Sequence, residues 1–134
     1  MTPKSLIQAV AEWAKQDNRI SAAALCGSHA RGTANPDSDI DICLICPEPQ
    51  ELLDDLTWVA QFGTGRVGPL EIYGSTQSVR VHYEHGLEVE FGIDGIEWAE
   101  LPLDSGTAQV FKDGLRILFD PDDQLDRAIR SVTG

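Results

Sequence analysis

The chain has 134 residues, and its 22 acidic residues against 10 basic ones give a formal net charge of −12 at pH 7. A surface with this excess of negative charge repels polyanions, and the sequence has no basic patch to offset it, which argues against nonspecific DNA or RNA binding. The sequence shows neither the apolar core of a signal peptide nor a run long enough to cross a bilayer, so we expect a cytoplasmic protein that does not bind membranes. The length is typical of a single domain, 1–134.

Apolar spacing predicts alternating helices and strands in the first half of the chain. Apolar residues recur at helical spacing between a cap at Thr2 or Ser5 and the end signal at Asp17, which predicts a first helix. The elements predicted next are a buried strand over 20–26, about one helical turn over 28–32, a loop over 33–38, a strand over 40–46 and an amphipathic helix over 50–62. Residues 63–68 fit G-x-G-x-x-G but follow a helix rather than a strand, so we interpret them as a flexible loop and not a dinucleotide site.

The second half of the chain is predicted to contain two hairpins. Strands over 79–83 and 87–93 are joined by a short loop in which Gly86 suits a left-handed turn. A helical turn is expected near 96–100. Two apolar segments, 110–111 and 115–119, predict the second hairpin around Gly114, and a closing helix is expected over about 122–131.

The three cysteines, Cys26, Cys43 and Cys46, all stand inside apolar runs. An odd count in such surroundings favours reduced, buried thiols over a disulfide framework. The C-x-x-C formed by Cys43 and Cys46 continues a strand and has no partner pair, so we interpret both as core side chains rather than as a zinc or redox site.

Two aspartates interrupt the second apolar strand. Because successive strand side chains alternate faces, Asp39 and Asp41 project on one face while Ile40 points to the other. Two carboxylates this close raise each other's proton affinity unless a cation lies between them, and hard oxygen ligands of this kind suit Mg²⁺. Upstream, Gly27 lets the backbone turn tightly and Ser28 offers a hydroxyl at the start of a short helix, a combination that suits phosphate.

The same stretch carries a family resemblance. An apolar run, Gly-Ser, ten intervening residues and then Asp-apolar-Asp-apolar resembles the signature of the DNA polymerase β-type nucleotidyltransferases. The finer string GSHARG at 27–32, followed by SDID at 38–41, is similar to the small prokaryotic minimal nucleotidyltransferases. The resemblance implies an α+β fold of the two-layer α/β type, with a mixed β-sheet and helices packed mainly on one face. It also implies Mg²⁺-dependent transfer of a nucleoside monophosphate from a triphosphate, with ATP expected, to a hydroxyl acceptor.

The resemblance also implies roles for individual residues. Asp39 and Asp41 would hold the metal ions, of which two are expected, with Mn²⁺ able to replace Mg²⁺. Gly27 and Ser28 would bind the terminal phosphates. Arg31, which belongs to the same string, would contact phosphate or form a structural ion pair with Asp37 or Asp39, and these two interpretations stay open. His29 holds the variable position of the string, where contact with the nucleotide and exposure to solvent are both open.

A third carboxylate is implied on the strand after the Asp-x-Asp strand, beside it in the sheet. Glu90, within Val89-Glu90-Phe91, stands where the family's apolar-Asp-apolar would fall, and it would ligate the second metal and help deprotonate the acceptor hydroxyl. It is Glu where Asp is more usual, and Glu88 shares its face, so a register two residues away is the alternative. Asp94 is a further but less favoured candidate.

The acceptor is the least determined part of the function. The residues after Ile93 are expected to form a hairpin and one helix, which leaves an open site without a lid and favours an acceptor delivered by another macromolecule. A protein hydroxyl is therefore the first choice, since the resemblance implies a HEPN-type toxin partner or a second copy of the chain. The alternatives are an aminoglycoside-type small-molecule acceptor and a catalytically inactive binding module that keeps the fold.

Overall fold

The first helix and the first two strands lie where apolar spacing predicts them. The computed structural model describes residues 1–133. Thr2 begins the first helix with a capping box, in which its hydroxyl accepts from the Ser5 amide at 3.1 Å while the Ser5 hydroxyl accepts from the Thr2 amide at 2.9 Å. The helices are α1 (Pro3–Gln16), α2 (Gly27–Arg31), α3 (Pro49–Asp54), α4 (Ser105–Asp113) and α5 (Gln124–Thr133), with 3₁₀ segments at Leu56–Phe62 and Ile96–Ala99. No helix within residues 1–133 is both long enough and apolar enough to span a bilayer.

The strands form one mixed sheet of seven strands. They are β1 (Ala22–Cys26), β2 (Ile40–Cys46), β3 (Gly65–Val67), β4 (Glu71–Tyr73), β5 (Thr76–Tyr83), β6 (Glu88–Gly95) and β7 (Arg116–Phe119). Their order is β3-β5-β6-β2-β1-β7, and β4 pairs with the first half of β5. The pair β2–β6 is parallel, whereas the other pairs are antiparallel.

Helices cover both faces of this sheet. On the first face, α1 and the 3₁₀ segment Leu56–Phe62 pack over the central strands, where Trp13 and Trp58 stack with ring centroids 5.1 Å apart. On the second face, α4 and α5 pack over β1 and β2 around Trp98 and Phe111. The α+β fold with a mixed sheet is confirmed, and the expectation of helices mainly on one face is corrected. Ala22, Ala24 and Ile45 are buried on the second face, so that face also needs an apolar cover.

The predicted helix over 50–62 is broken into two pieces. Asp55 leaves the helical conformation with φ −136° and caps the following 3₁₀ segment by accepting from the Thr57 amide at 3.1 Å. The flexible loop predicted over 63–68 is also wrong. Within it, β3 pairs with the second half of β5 and extends the sheet.

The second predicted hairpin, over 110–119, is wrong as well. Its first arm belongs to α4, which Asp104 caps by accepting from the Thr107 amide at 2.9 Å. Thr107 and Phe111 recur at helical spacing and are buried on the face that the helix turns toward the sheet. The second arm is β7, which pairs with β1 instead of with its neighbour in sequence. The part of the second face that α4 and α5 leave uncovered, over β2, β6 and β5, carries the polar residues described next.

Candidate active site

The acidic residues predicted for the site meet on the second face of the sheet. Asp41 on β2 lies directly beside Glu90 on β6 in parallel register, and Glu90 lies opposite Arg80 on β5. Asp39 immediately precedes β2 and reaches the same group, because its carboxylate contacts Arg80. The structure therefore brings the three predicted carboxylates, Asp39, Asp41 and Glu90, to one place.

Arg80 is the residue that reasoning from the sequence missed. Its guanidinium lies 2.6 Å from Asp39 Oδ2, 2.6 Å from Glu88 Oε2 and 2.9 Å from Glu90 Oε2. A signal was present, since Arg80 alternates with buried valines on one strand of the predicted hairpin and the acidic residues alternate with apolar ones on the other. Pairing the two strands would have placed Arg80 opposite Glu90.

Gly27 brings the backbone against the Asp41 carboxylate. It begins α2 with φ +67°, a conformation that favours glycine, and a Cβ at this position would collide with Asp41 Oδ2. The preceding residue, Cys26, is paired with Asp41 across β1 and β2. The predicted turn from strand to helix is thus confirmed, and Ser28, in its first turn, is partly exposed.

The other residues of the GSHARG string have separate positions. His29 Nε2 lies 3.3 Å from the Ser38 carbonyl oxygen, which links α2 to the loop before β2 and leaves the ring partly buried. Arg31 is exposed at the end of α2 and makes no ion pair with a carboxylate within residues 1–133, so the predicted pairing with Asp37 or Asp39 is not observed. Contact of Arg31 with phosphate stays a prediction.

The electrostatics of the site centre on Asp41. Partial burial and the neighbouring carboxylates of Glu90 and Asp39 together raise the pKa of its carboxyl to about 6, against a smaller opposing effect of Arg80. A half-buried acid beside two others holds its charge poorly without a nearby cation. A cation placed beside Asp41 would therefore favour its ionised form.

Glu90 and Glu88, the two candidates for the third acid, have different surroundings in the structure. Glu90 borders a cavity together with Asp41, and it accepts from the Ser78 hydroxyl at 2.7 Å and from Arg80. Glu88 lies two residues earlier, at the start of β6, where it contacts Arg80 at 2.6 Å and His82 Nδ1 at 2.7 Å. The side chain of Glu88 is thus held by Arg80 and His82, whereas Glu90 faces the cavity.

The cavity beside Asp41 and Glu90 has a volume of about 460 Å³. It extends along the second face past Asp94 to Trp98 and the first turns of α4. Asp94 is only 3% exposed, and burial raises the pKa of its carboxyl to about 6 even though Thr76 Oγ1 donates to it at 2.8 Å. The volume is in the usual range for small-molecule sites, roughly 300–1,000 Å³.

The arrangement of donors fits a divalent cation in chemistry, though not in its present geometry. Within residues 1–133, no three His, Cys, Asp or Glu side chains are grouped as a ready metal site. Arg80 instead holds the carboxylates of Asp39 and Glu90 by hydrogen bonds. Asp41 and Glu90 nevertheless lie side by side and line the cavity with hard oxygen donors, and they carry more negative charge than one guanidinium balances.

Cys43 and Cys46 are not a reactive pair. Cys46 belongs to the apolar cluster on the first face, whereas Cys43 packs against the cluster on the second, so the two thiols lie on opposite sides of the sheet. Burial raises the pKa of Cys46 to about 12, and contact with Cys26 together with burial raises the pKa of Cys43 well above its usual value. Cys46 is thus a core side chain as predicted, whereas Cys43 is partly exposed and borders the cavity.

Comparison with known families covers the first part of this site. The profile of the family described as streptomycin adenylyltransferase matches residues 1–85, which include the Gly-Ser turn and both aspartates. The chain belongs to the streptomycin adenylyltransferase family. The prediction of a nucleotidyltransferase is confirmed at the level of the superfamily, whereas the minimal, antitoxin-like branch stays a prediction. No curated protein matches this member of the family.

Two solved structures are similar to this adenylyltransferase-family chain. An aminoglycoside 6-adenyltransferase from Bacillus subtilis aligns with a TM-score of 0.60 and 16% identity, over 86% of this chain and 40% of that one. A CCA-adding enzyme in its apo form I aligns with a TM-score of 0.49 and 15% identity, over 97% of this chain and 32% of that one. The chain thus spans less than half the length of either protein. At such low identity, the likeness to the first structure shows a shared fold.

Gly27 provides a test of the close approach between the turn and Asp41. Gly27→Ala adds a Cβ where Asp41 Oδ2 lies, so we expect the carboxylate to be displaced and divalent-metal and nucleotide binding to be lost, in addition to about 1–2 kcal/mol of left-handed strain. Gly32→Ala is the matched control, because Gly32 has φ +75° with no atom within 4 Å of an added Cβ. It should show the strain alone in its unfolding curve and retain binding by calorimetry. Equal binding by both variants would contradict the assignment of the turn.

The raised pKa of Asp41 predicts a pH-dependent stability in metal-free buffer. Between its ordinary value of 3.8 and about 6, the folded state binds more protons at Asp41 than the unfolded state, so this group's contribution to the free energy of unfolding falls as pH rises through that window. Asp41→Asn should therefore raise Tm at pH about 7.5 and have little effect near pH about 4. Asp39→Asn, which removes a partner of Arg80, should not raise Tm at pH about 7.5. A gain for Asp41→Asn that does not vary with pH would contradict the account.

Proposed function

We propose that the protein is a divalent-metal-dependent nucleotidyltransferase that moves a nucleoside monophosphate from a triphosphate, with ATP as the first candidate, to a hydroxyl acceptor. The observation that carries the proposal is that Asp41 and Glu90 lie in register and line one cavity, with the Gly27 turn against Asp41. Membership of an adenylyltransferase family supports the same reaction. We assign this activity to the single domain formed by residues 1–134.

The metal would be held by Asp39, Asp41 and Glu90, as Mg²⁺ with two ions expected, or as Mn²⁺. When bound, it supplies charge neutralisation to the triphosphate and to the attacking and leaving oxygens of an in-line displacement. The chain itself sets the positions of these ligands. The carboxylates converge from two adjacent strands of the sheet, a rigid element, so only side chains have to rearrange when the metal binds.

Phosphate binding is proposed at the turn that begins α2. Gly27 lets the backbone lie against Asp41, so phosphate oxygens bound at Gly27 and Ser28 would also be next to the metal ligands. Arg31 is exposed one helical turn further and carries a guanidinium suited to phosphate. These three residues would hold the leaving pyrophosphate in place.

Glu90 is proposed as the group that accepts the proton of the acceptor hydroxyl. It faces the cavity, and the Ser78 hydroxyl fixes one of its carboxylate oxygens at 2.7 Å. An acceptor lying in the cavity would place its hydroxyl between Glu90 and the α-phosphate, which is the geometry a general base requires.

The cavity favours a small-molecule acceptor. The expectation of an open site depended on a hairpin after Ile93, and the structure has instead the 3₁₀ segment Ile96–Ala99 and α4, both of which contribute walls to the cavity. The buried Asp94 and the α4 cap Asp104 line it, so an acceptor carrying a positive charge would be complementary. The family is named for streptomycin, and the similar structure from Bacillus subtilis is an aminoglycoside 6-adenyltransferase.

A partner-protein hydroxyl is the second candidate. Leu70, Ile72 and Tyr73 are 51%, 69% and 53% exposed, and Tyr73 also borders the cavity. An exposed apolar group beside the cavity suits a partner chain that offers its own side chain as acceptor, either a HEPN-type toxin or a second copy of this protein. Nucleic acid is not proposed as a partner, because the chain is strongly acidic.

The activity is tested by a screen that identifies nucleotide and acceptor together. The protein is incubated with Mg²⁺, each of the four triphosphates and either a panel of aminoglycosides or the product of the neighbouring gene, and pyrophosphate release and intact mass are measured. The proposal expects one acceptor to gain the mass of a nucleoside monophosphate, in a reaction that a chelator stops. A small-molecule product favours the first candidate, and a modified protein favours the second.

The third carboxylate is tested by a matched pair of variants. Glu90→Gln should lower transfer by at least about 100-fold, because the proton acceptor and one metal ligand are lost. Glu88→Gln makes the same chemical change two residues away, on a side chain held by Arg80 and His82, and should leave transfer within about tenfold of the unaltered protein. The reverse order of effects would move the site to Glu88. If neither change affects transfer, β6 has no part in the reaction.

A further inference from the structure

Arg80 contacts more carboxylates of the site than any other side chain does. In addition to Asp39, Glu88 and Glu90, its Nε lies 3.6 Å from Glu71 Oε1 on β4. The four carboxylates come from two strands, β4 and β6, and from the residue before β2. The guanidinium of arginine is not deprotonated in proteins, so Arg80 stays charged. A planar guanidinium with several fixed N–H donors can bridge such a set, whereas an ammonium group cannot.

The charges around Arg80 do not balance. One guanidinium faces four contacting carboxylates, and Asp41 adds a fifth beside Glu90. Arg80 is 25% exposed at its side chain, and its partners are 21–40% exposed, so water screens the group only in part. Arg80 is thus the cation that makes an otherwise repulsive set of acids compatible with the folded state, and it leaves a net negative charge that further cations would neutralise.

The atoms that Arg80 contacts are also those that the proposed function needs. Asp39 Oδ2 and Glu90 Oε2 both accept from the guanidinium, and both residues are proposed metal ligands. A divalent ion bound through these carboxylates would lie only a few ångströms from a fixed positive charge. At that distance the repulsion amounts to several kcal/mol for an effective dielectric constant of about 20, so full contact with both cations is unfavourable.

We propose that Arg80 is a positioning residue that stands in for the metal. It holds Asp39 and Glu90 together while the metal is absent, and its guanidinium must withdraw from Asp39 for the metal to bind. This inference rests on the proposed metal-dependent function and adds a residue that sets the metal affinity. Its consequence is a trade between stability and affinity: Arg80 stabilises the metal-free protein and weakens metal binding.

The test compares Arg80→Met with the unaltered protein, using Mn²⁺ alone as the probe and free Mn²⁺ measured by electron paramagnetic resonance. Arg80→Met should bind Mn²⁺ at least about tenfold more tightly, because a competing charge is removed. Without metal, its Tm should fall by roughly 3–8 °C, since the carboxylates are left unpaired, and added Mn²⁺ should restore much of that loss.

Two control variants distinguish the effect of a positive charge at residue 80 from the effects of its location and its bridging geometry. Arg66→Met makes the same change on β3, where Arg66 is exposed and pairs in register with His82, and it should change neither quantity appreciably. Arg80→Lys keeps the charge but cannot bridge the carboxylates, so it should lower the metal-free Tm while leaving the Mn²⁺ affinity within about threefold of the unaltered protein.

The unaltered protein offers a measurement that needs no folded variant. On addition of Mg²⁺, the Nε–Hε resonance of Arg80 should shift in nitrogen-15 spectra, while that of Arg66 should not. Mn²⁺ binding that is equal or weaker in Arg80→Met would overturn the inference and leave the proposed function standing, as would an Arg80 resonance unmoved at saturating Mg²⁺. If the unaltered protein and Arg80→Met both fail to bind Mn²⁺, the metal-dependent function falls and the inference falls with it.

Discussion

The parallel register between β2 and β6 is the constraint on which the site depends. Ile40 pairs with Val89 and Ile42 with Phe91, and these four side chains are buried on the first face. A slip of one residue would turn that apolar row toward the second face and carry carboxylates into the core, which is prohibitively unfavourable. A slip of two residues would keep the core apolar and would place Glu88, rather than Glu90, beside Asp41.

Packing on the first face therefore determines which carboxylate lies beside Asp41 on the second face. Phe91 is fully buried against Trp58 with ring centroids 4.9 Å apart, and this contact supports the register that brings Glu90 to Asp41. The antiparallel strand β5 then places Arg80 opposite Glu90. Burial, repulsion among the acids and neutralisation by Arg80 all follow from these two pairings, and so does the raised pKa of Asp41.

The sequence was sufficient where the signal is local. The helix begun by Thr2, the Gly27 turn and the loop at Gly86 each depend on residues close together in the chain, and all were predicted correctly. The failures have two causes. The Asp104 cap of α4 was overlooked, so Val110 and Phe111 were interpreted as a strand arm. The Arg80–Asp39 contact joins residues 41 positions apart, and it follows only from knowing which strands pair and in which register.

Asp41 and Glu90 together form the proposed cation site next to the Gly27 turn. Anomalous diffraction from crystals grown with Mn²⁺ and a non-hydrolysable triphosphate would locate the ion. We expect an anomalous peak within about 2.3 Å of carboxylate oxygens of both Asp41 and Glu90, with the triphosphate against Gly27 and Ser28 and the Arg80 guanidinium withdrawn from Asp39. A triphosphate bound in the cavity with manganese at neither carboxylate, or with manganese only at Glu88, would contradict this assignment.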